Sequence, residues 1–269
     1  MNEKNSKITI LLWVIAFIIT IFSAYYQRIT GPTYPLSGSV KFQGKDIFYK
    51  LERSGSSNEN CLITVQVLDT NMKGVLLWKR YKTSDDLTRV EMINSSSQLT
   101  GELPKQPPAG KLQYHIRLIS GTSEMNVPPE PVVIRFKGDV PLVILGLHII
   151  IMFLAMLLSS RAGVEIFRKE TDLKKFAYWT LGLMTLGGMI LGPIVQKYAF
   201  GEYWTGVPFG FDLTDNKTLI AWLVWIVTIV MIYRSKKPKY WVLGAALVTL
   251  AVFLIPHSVL GSELKYDQM

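Results

Sequence analysis

The hydrophobic pattern of the chain changes twice along its length. Ile8 to Tyr26 is an almost unbroken apolar run, with Lys4 and Lys7 before it and Tyr25 and Tyr26 at its far end. From Ser37 to Lys137 apolar residues come in short alternating stretches, split by Gly, Ser, Asn and Pro clusters. Long apolar runs then return at Val140 to Ser159, Phe176 to Val195, Thr218 to Tyr233 and Tyr240 to Ile255. A helix needs about 20 mostly apolar residues to cross a bilayer. The pattern therefore predicts a membrane α-helical bundle of about five transmembrane helices, the last two short. No small-x-small cleavage site precedes Tyr25, so the first run reads as an uncleaved anchor rather than a signal peptide.

The middle stretch predicts an extracytoplasmic all-β domain inserted between the first and second helices. Strands are expected at Ser39–Phe42, Asp46–Leu51, Cys61–Leu68, Gly74–Tyr81, Thr88–Ile93, Lys111–Leu118 and Val132–Phe136. Short strands of this number in about 100 residues point to a β-sandwich of the immunoglobulin or fibronectin kind. In Lys111–Leu118 the period of two puts Leu112, Tyr114, Ile116 and Leu118 on one face. Gln113, His115 and Arg117 fall on the other, where His115 is expected to be solvated. The expected organisation is an anchor at 1–30, a sandwich at 36–138, a four-helix bundle at 139–258 with an outer loop at 196–217, and a tail at 259–269.

Charge fixes an expected orientation. The net charge of +9 does not mark a nucleic-acid binder, because the basic residues cluster in short loops beside apolar runs. Eleven of them would share one side: Lys4, Lys7, Arg161, Arg168, Lys169, Lys174, Lys175, Arg234, Lys236, Lys237 and Lys239. The opposite loop and tail hold Lys197, Lys217 and Lys265. The positive-inside rule then gives a multi-pass protein of the cytoplasmic (inner) membrane with a cytoplasmic N-terminus, the β domain and C-terminus lying outside. The single cysteine, Cys61, excludes an internal disulfide, a cysteine-based zinc site and a C-x-x-C-H haem attachment. Gly188 to Gly192 forms a G-x-x-x-G, read as close helix packing within the bundle.

Candidate chemistry gathers at the outer side. The loop from Phe200 to Thr218 carries Phe200, Tyr203, Trp204, Phe209 and Phe211 with Glu202, Asp212 and Asp215. Asp215 is placed to cap the following helix. His148 lies inside the second span near its outer end, and His257 follows Pro256 where the fifth span emerges. A titratable group inside an apolar span is costly and marks a functional candidate. His148, Met152 and Met156 share one helical face at intervals of four, a set able to ligate haem or copper.

This arrangement resembles the tryptophan-rich segment of the haem-handling membrane proteins of cytochrome c maturation. In that family an outer loop of the form W-G-x-x-W-x-W-D lies between two spans, with one external histidine before it and one after. Here Phe200-Gly-Glu-Tyr-Trp204 is followed by Phe211-Asp212 and Lys217-Thr218, with His148 before and His257 after. Phe200 and Phe211 stand where the family has tryptophan, and four or five extra residues separate Trp204 from Phe211. The likeness covers about 20 of the 269 residues, and the family has no matching β domain. It implies haem b held by His148 and His257, with Tyr203, Trp204, Phe211 and Asp212 lining the site; copper, with Met152 as a further ligand, is the lesser choice. The chain would serve a respiratory or cytochrome assembly complex. The competing expectation is a cofactor-free scaffold whose β domain docks an extracytoplasmic protein partner. No catalytic motif is complete, so the chain does not read as an enzyme.

Overall fold

The structure, a computed structural model, describes residues 3–67, 70–168, 172–257, 259, 261, 263, 264 and 266. The chain forms two compact units. One comprises Met1–Gly31, Val140–Tyr198 and Glu202–Gly261; the other comprises Pro32–Asp139, Ala199–Gly201 and Ser262–Met269.

The first unit is helical. It contains α1 (Glu3–Thr30), α2 (Leu142–Gly163), α3 (Leu173–Met184), α4 (Gly192–Phe200), α5 (Leu213–Arg234) and α6 (Pro238–Leu254). Four stretches are long and apolar enough to cross a membrane: Ser6–Thr30, Leu142–Phe167, Leu173–Phe200 and Leu213–Arg234. By length and composition this is a multi-pass membrane protein. The fifth apolar helix, α6, has 17 residues, about 26 Å of rise. Its buried face is Val242, Ala245, Ala246, Thr249 and Val252, a helical stripe of mostly small side chains that admits close neighbours. A Cβ added to Gly163 of α2 would stand 2.6 Å from that of Ala246, so the two backbones approach as only glycine permits. Interhelical bonds from Trp225 Nε1 to Thr249 Oγ1 and from Trp222 Nε1 to Thr185 Oγ1, both 2.9 Å, satisfy polar atoms away from water.

The third crossing is not a uniform helix. A seven-residue π segment, Thr185–Leu191, joins α3 to α4. Pro193 lacks the N–H that would continue the α ladder, and the Gly192 N–H bonds back to the Gly187 carbonyl in the wider π register. The expected close packing of the glycines is present inside the unit. A Cβ on Gly187 would meet Met152 Sδ at 2.8 Å, and one on Gly188 would meet Thr218 Cγ2 at 2.8 Å.

The second unit is β-rich, and it is not a sandwich. A hairpin, β1 (Leu36–Phe42) with β2 (Lys45–Leu51), accompanies one seven-stranded mixed sheet. Its members are β3 (Ser54–Ser56), β4 (Cys61–Gln66), β5 (Lys73–Arg80), β6 (Thr88–Ser95), β7 (Gln98–Leu103), β8 (Lys111–Ser120) and β9 (Ser123–Lys137), in the order β3-β9-β8-β5-β6-β7-β4. The sheet curls into a nearly closed barrel because one strand serves two directions. Thr88–Met92 of β6 pairs with β5, while Ile93–Ser95 pairs with β7. The sheet thus turns a corner inside a strand instead of breaking into two layers. Leu76, Leu99, Leu103, Leu112, Tyr114, Ile116, Ile134 and Phe136 fill its single core.

His115 departs from expectation. It is buried, with Nε2 lacking a described partner. The β8–β9 register slips between Tyr114 and Ile116, which breaks the alternation there. Burial and the nearby Arg117 lower its proton affinity. The described tail residues join this unit: Leu264 N–H donates to the Ala109 carbonyl at 3.2 Å, and Tyr266 Oη accepts the Lys111 N–H at 3.0 Å. Glu263 bonds Lys111 at 2.6 Å and Lys82 at 3.0 Å.

Candidate functional site at one end of the helices

Residues at the beginning of α2, in α4 up to Gln196, at the beginning of α5 and at the end of α6 meet at one end of the helical unit, and the loop from Glu202 to Asp212 lies there. The helix α5 starts at Leu213 because Asp212 caps it: the Asp212 carboxylate accepts the Thr214 N–H at 2.7 Å. Asp215, expected as the cap, sits one turn inside and turns back to the loop. It accepts the Thr205 N–H at 2.6 Å, the Gly206 N–H at 3.0 Å and Gln196 Nε2 at 3.0 Å. Asn216 adds a bond from the Val207 N–H at 2.7 Å. A buried carboxylate is stable in such a place only when donors surround it. The loop is thereby latched to α4 and α5.

Lys217, two residues further on, is buried, and its amine donates to the Ile255 carbonyl at 2.5 Å. Gln27 of α1 donates to the same carbonyl at 3.2 Å and to that of Phe253 at 2.7 Å. These carbonyls belong to the end of α6, where no intrahelical donor remains. Lys217 and Gln27 thus fix the backbone two residues before His257.

His148 Nδ1 lies 2.9 Å from the Gly187 carbonyl. A carbonyl only accepts, so Nδ1 carries the proton and Nε2 keeps its lone pair. The π segment supplies this partner from α3–α4. His257 is exposed. The surrounding protein nonetheless lowers its proton affinity, Lys217 and His148 act in the same direction, and Asp212 opposes them. His148, Asp212 and Lys217 therefore each lie within electrostatic reach of His257.

The other expected residues are placed differently. Met152 packs against Gly187 and Gly188. Trp204 Nε1 donates to the Val207 carbonyl at 3.1 Å, and its indole borders Gly206. Tyr203 is exposed, Phe209 is 82% exposed and Phe211 is 90% exposed. The loop is a latched turn with its phenylalanines outward. Among the described residues no three His, Cys, Asp or Glu side chains gather as a metal site. Gln27 and Gln196 were not singled out from sequence, and Lys217 entered only as a loop charge and as part of the motif likeness; a lysine directly before an apolar run was the available signal.

No family model matches this chain, and no curated protein or solved structure matches it either.

Proposed function

We propose that the protein is an integral membrane subunit that binds haem at the end of the bundle where His148 and His257 lie. The observation that carries this reading is that His148, inside α2, and His257, just past the end of α6, are near enough for the charge of one to act on the other, with Asp212 and Lys217 also acting on His257. His148 and His257 would hold the haem iron through their imidazole nitrogens; copper would want a further close ligand. His148 donates its Nδ1 proton to a backbone carbonyl, the arrangement that orients metal-ligating imidazoles and raises the basicity of Nε2. Lys217 offers a cation to a propionate. When bound, haem would supply a redox-active iron. The chain itself holds His148 through Gly187, holds the approach to His257 through Lys217 and Gln27, and keeps the loop in place through Asp215.

The test is an absorption spectrum of the detergent-purified protein, oxidised and then reduced with dithionite. A Soret band with sharp reduced α and β bands, lost in His148→Ala and in His257→Ala at unchanged expression, is the expected result. A spectrum without these bands, from membranes rich in haem, removes the reading.

A second reading rests on a different observation. The outer face of β4, β7 and β6 presents Leu62, 53% exposed, and Ile93, 74% exposed. Such a face suits a docking subunit whose β unit binds an extracytoplasmic partner. A stoichiometric partner retained on purification from native membranes, and lost in Ile93→Asp, would support it.

A further inference from the structure

We infer that a cavity at the other end of the helical unit holds the phosphate of an anionic phospholipid. The cavity, of about 480 Å³, lies where α1 begins, α2 ends and α3 begins, and is lined by Thr9, Trp13, Leu158, Arg161, Arg168, Asp172, Lys175, Phe176 and Trp179. Its floor is cationic and its walls are aromatic.

Arg161 is the central observation. It is 1% exposed, yet its Nε has no hydrogen-bond partner among the described residues. Its Nη1 pairs with the fully buried Glu165, and its guanidinium lies 4.9 Å from the Phe176 ring centroid and 5.4 Å from that of Trp13. A buried guanidinium with an unused donor, on a residue that lines a cavity, is a place for an oxyanion.

The charges around it point the same way. Arg161, Arg168 and Lys175 line the cavity; among the described residues Asp172 is the one acid that does so. The Asp172 carboxylate is engaged in capping α3, accepting the Lys175 N–H at 3.3 Å. Glu165, behind the lining, is shared between Arg161 and Arg168, the latter at 3.4 Å. The positive end of the α3 dipole adds to the remaining cationic excess.

The walls distinguish a lipid from a free ion. Trp13, Phe176 and Trp179 stand on membrane-length helices, and Trp13 and Trp179 are themselves exposed. Tryptophan prefers the headgroup level of a bilayer, and basic pockets between spans at that level suit phosphate headgroups. A phosphodiester on the guanidinium with its acyl chains leaving along the tryptophans satisfies both halves of the cavity.

The experiment uses the full chain, stripped of lipid in a neutral detergent, with tryptophan emission as the readout. The probes are dihexanoyl phosphatidylglycerol, dihexanoyl phosphatidylcholine and inorganic phosphate. Phosphatidylglycerol should bind saturably and roughly tenfold more tightly than phosphatidylcholine, with inorganic phosphate unable to compete at equal concentration. The rim variant Arg168→Gln/Lys175→Gln should weaken phosphatidylglycerol by roughly tenfold or more, while Lys236→Gln/Lys237→Gln in the α5–α6 hairpin should leave it unchanged. Arg161→Gln should abolish binding; if it does not fold, the rim variant decides. Equal binding of the two lipids, equal loss in both double variants, or wild-type affinity in the rim variant would overturn the proposal. Effective competition by inorganic phosphate would overturn it in favour of a soluble phosphate site.

Discussion

The Asp215 carboxylate holds the Thr205 N–H at 2.6 Å, across ten residues of aromatic loop. Removing it leaves Thr205 N–H, Gly206 N–H and the Gln196 amide without their buried acceptor. Asp215→Ala should destabilise the helical unit by about 2–3 kcal/mol, and Asp215→Asn by less. Limited proteolysis between Gly201 and Asp212, with a change in Trp204 emission, reads the released loop; an unchanged cleavage pattern would contradict the latch.

Gly187 permits Met152 to lie against the π segment. Gly187→Ala places a methyl 2.8 Å from Met152 Sδ and 2.9 Å from Ile151 Cγ2. The expected cost is about 1–3 kcal/mol. Met152→Ala should relieve part of it, and a double-mutant cycle on thermal unfolding in detergent measures that coupling. Strict additivity would show that the two do not meet.

Cys61 tests the β unit. Burial raises its thiol to about 11 from 9.0, helped by Glu52 and Glu59. The folded value exceeds the unfolded one, so the protonated thiol contributes stability below about pH 9 that is lost as pH rises towards 11. Reaction with a thiol reagent at pH 8 should be slow in the native protein. It should accelerate by about two orders of magnitude in denaturant as the thiolate fraction recovers.

Glu263 tests the tail. Burial raises its carboxyl, but bonds from Lys111 and Lys82, with their charges, hold it below the ordinary carboxylate value. A depressed acid contributes stability above its unfolded value and loses it as pH falls through the folded one. Hydrogen exchange at Leu264 should therefore speed up below about pH 4.5, and Glu263→Gln should exchange fast at all pH values. A wild-type profile in that variant would place the tail's attachment on Tyr266 alone.

The membrane spans were legible because nothing else requires such length without charge. The limits of the spans were not, since Asp212, Lys217 and Gln196 lie inside what polarity alone assigns to loop. The β strands were legible where side chains alternate. β7 was hidden because its inward positions are Leu99, Gly101 and Leu103. Met92 and Leu76 fill the space that Gly101 leaves, a compensation no local pattern reveals. The corner in β6 escaped for a related reason. Met92 belongs to the core while Ile93 points outward, which reads locally as an ordinary strand in a sandwich. For the candidate site, the two histidines were visible as polar residues at span ends. The Lys217–Ile255 and Gln27–Ile255 bonds join positions 38 and 228 residues apart and depend on helix order, which hydropathy does not encode.

The β unit is assembled from three separated lengths of chain. Residues 32–139 are made early, but the Phe200 ring, 3.7 Å from the Arg135 guanidinium, follows two membrane-length stretches later. Tyr266, which bonds Lys111 and lies 5.1 Å below the Arg80 guanidinium, follows α6. The unit therefore cannot reach its final packing during synthesis of its own strands. Its last contacts form only once the intervening helices have been made, and a fragment ending at Asp139 would lack them.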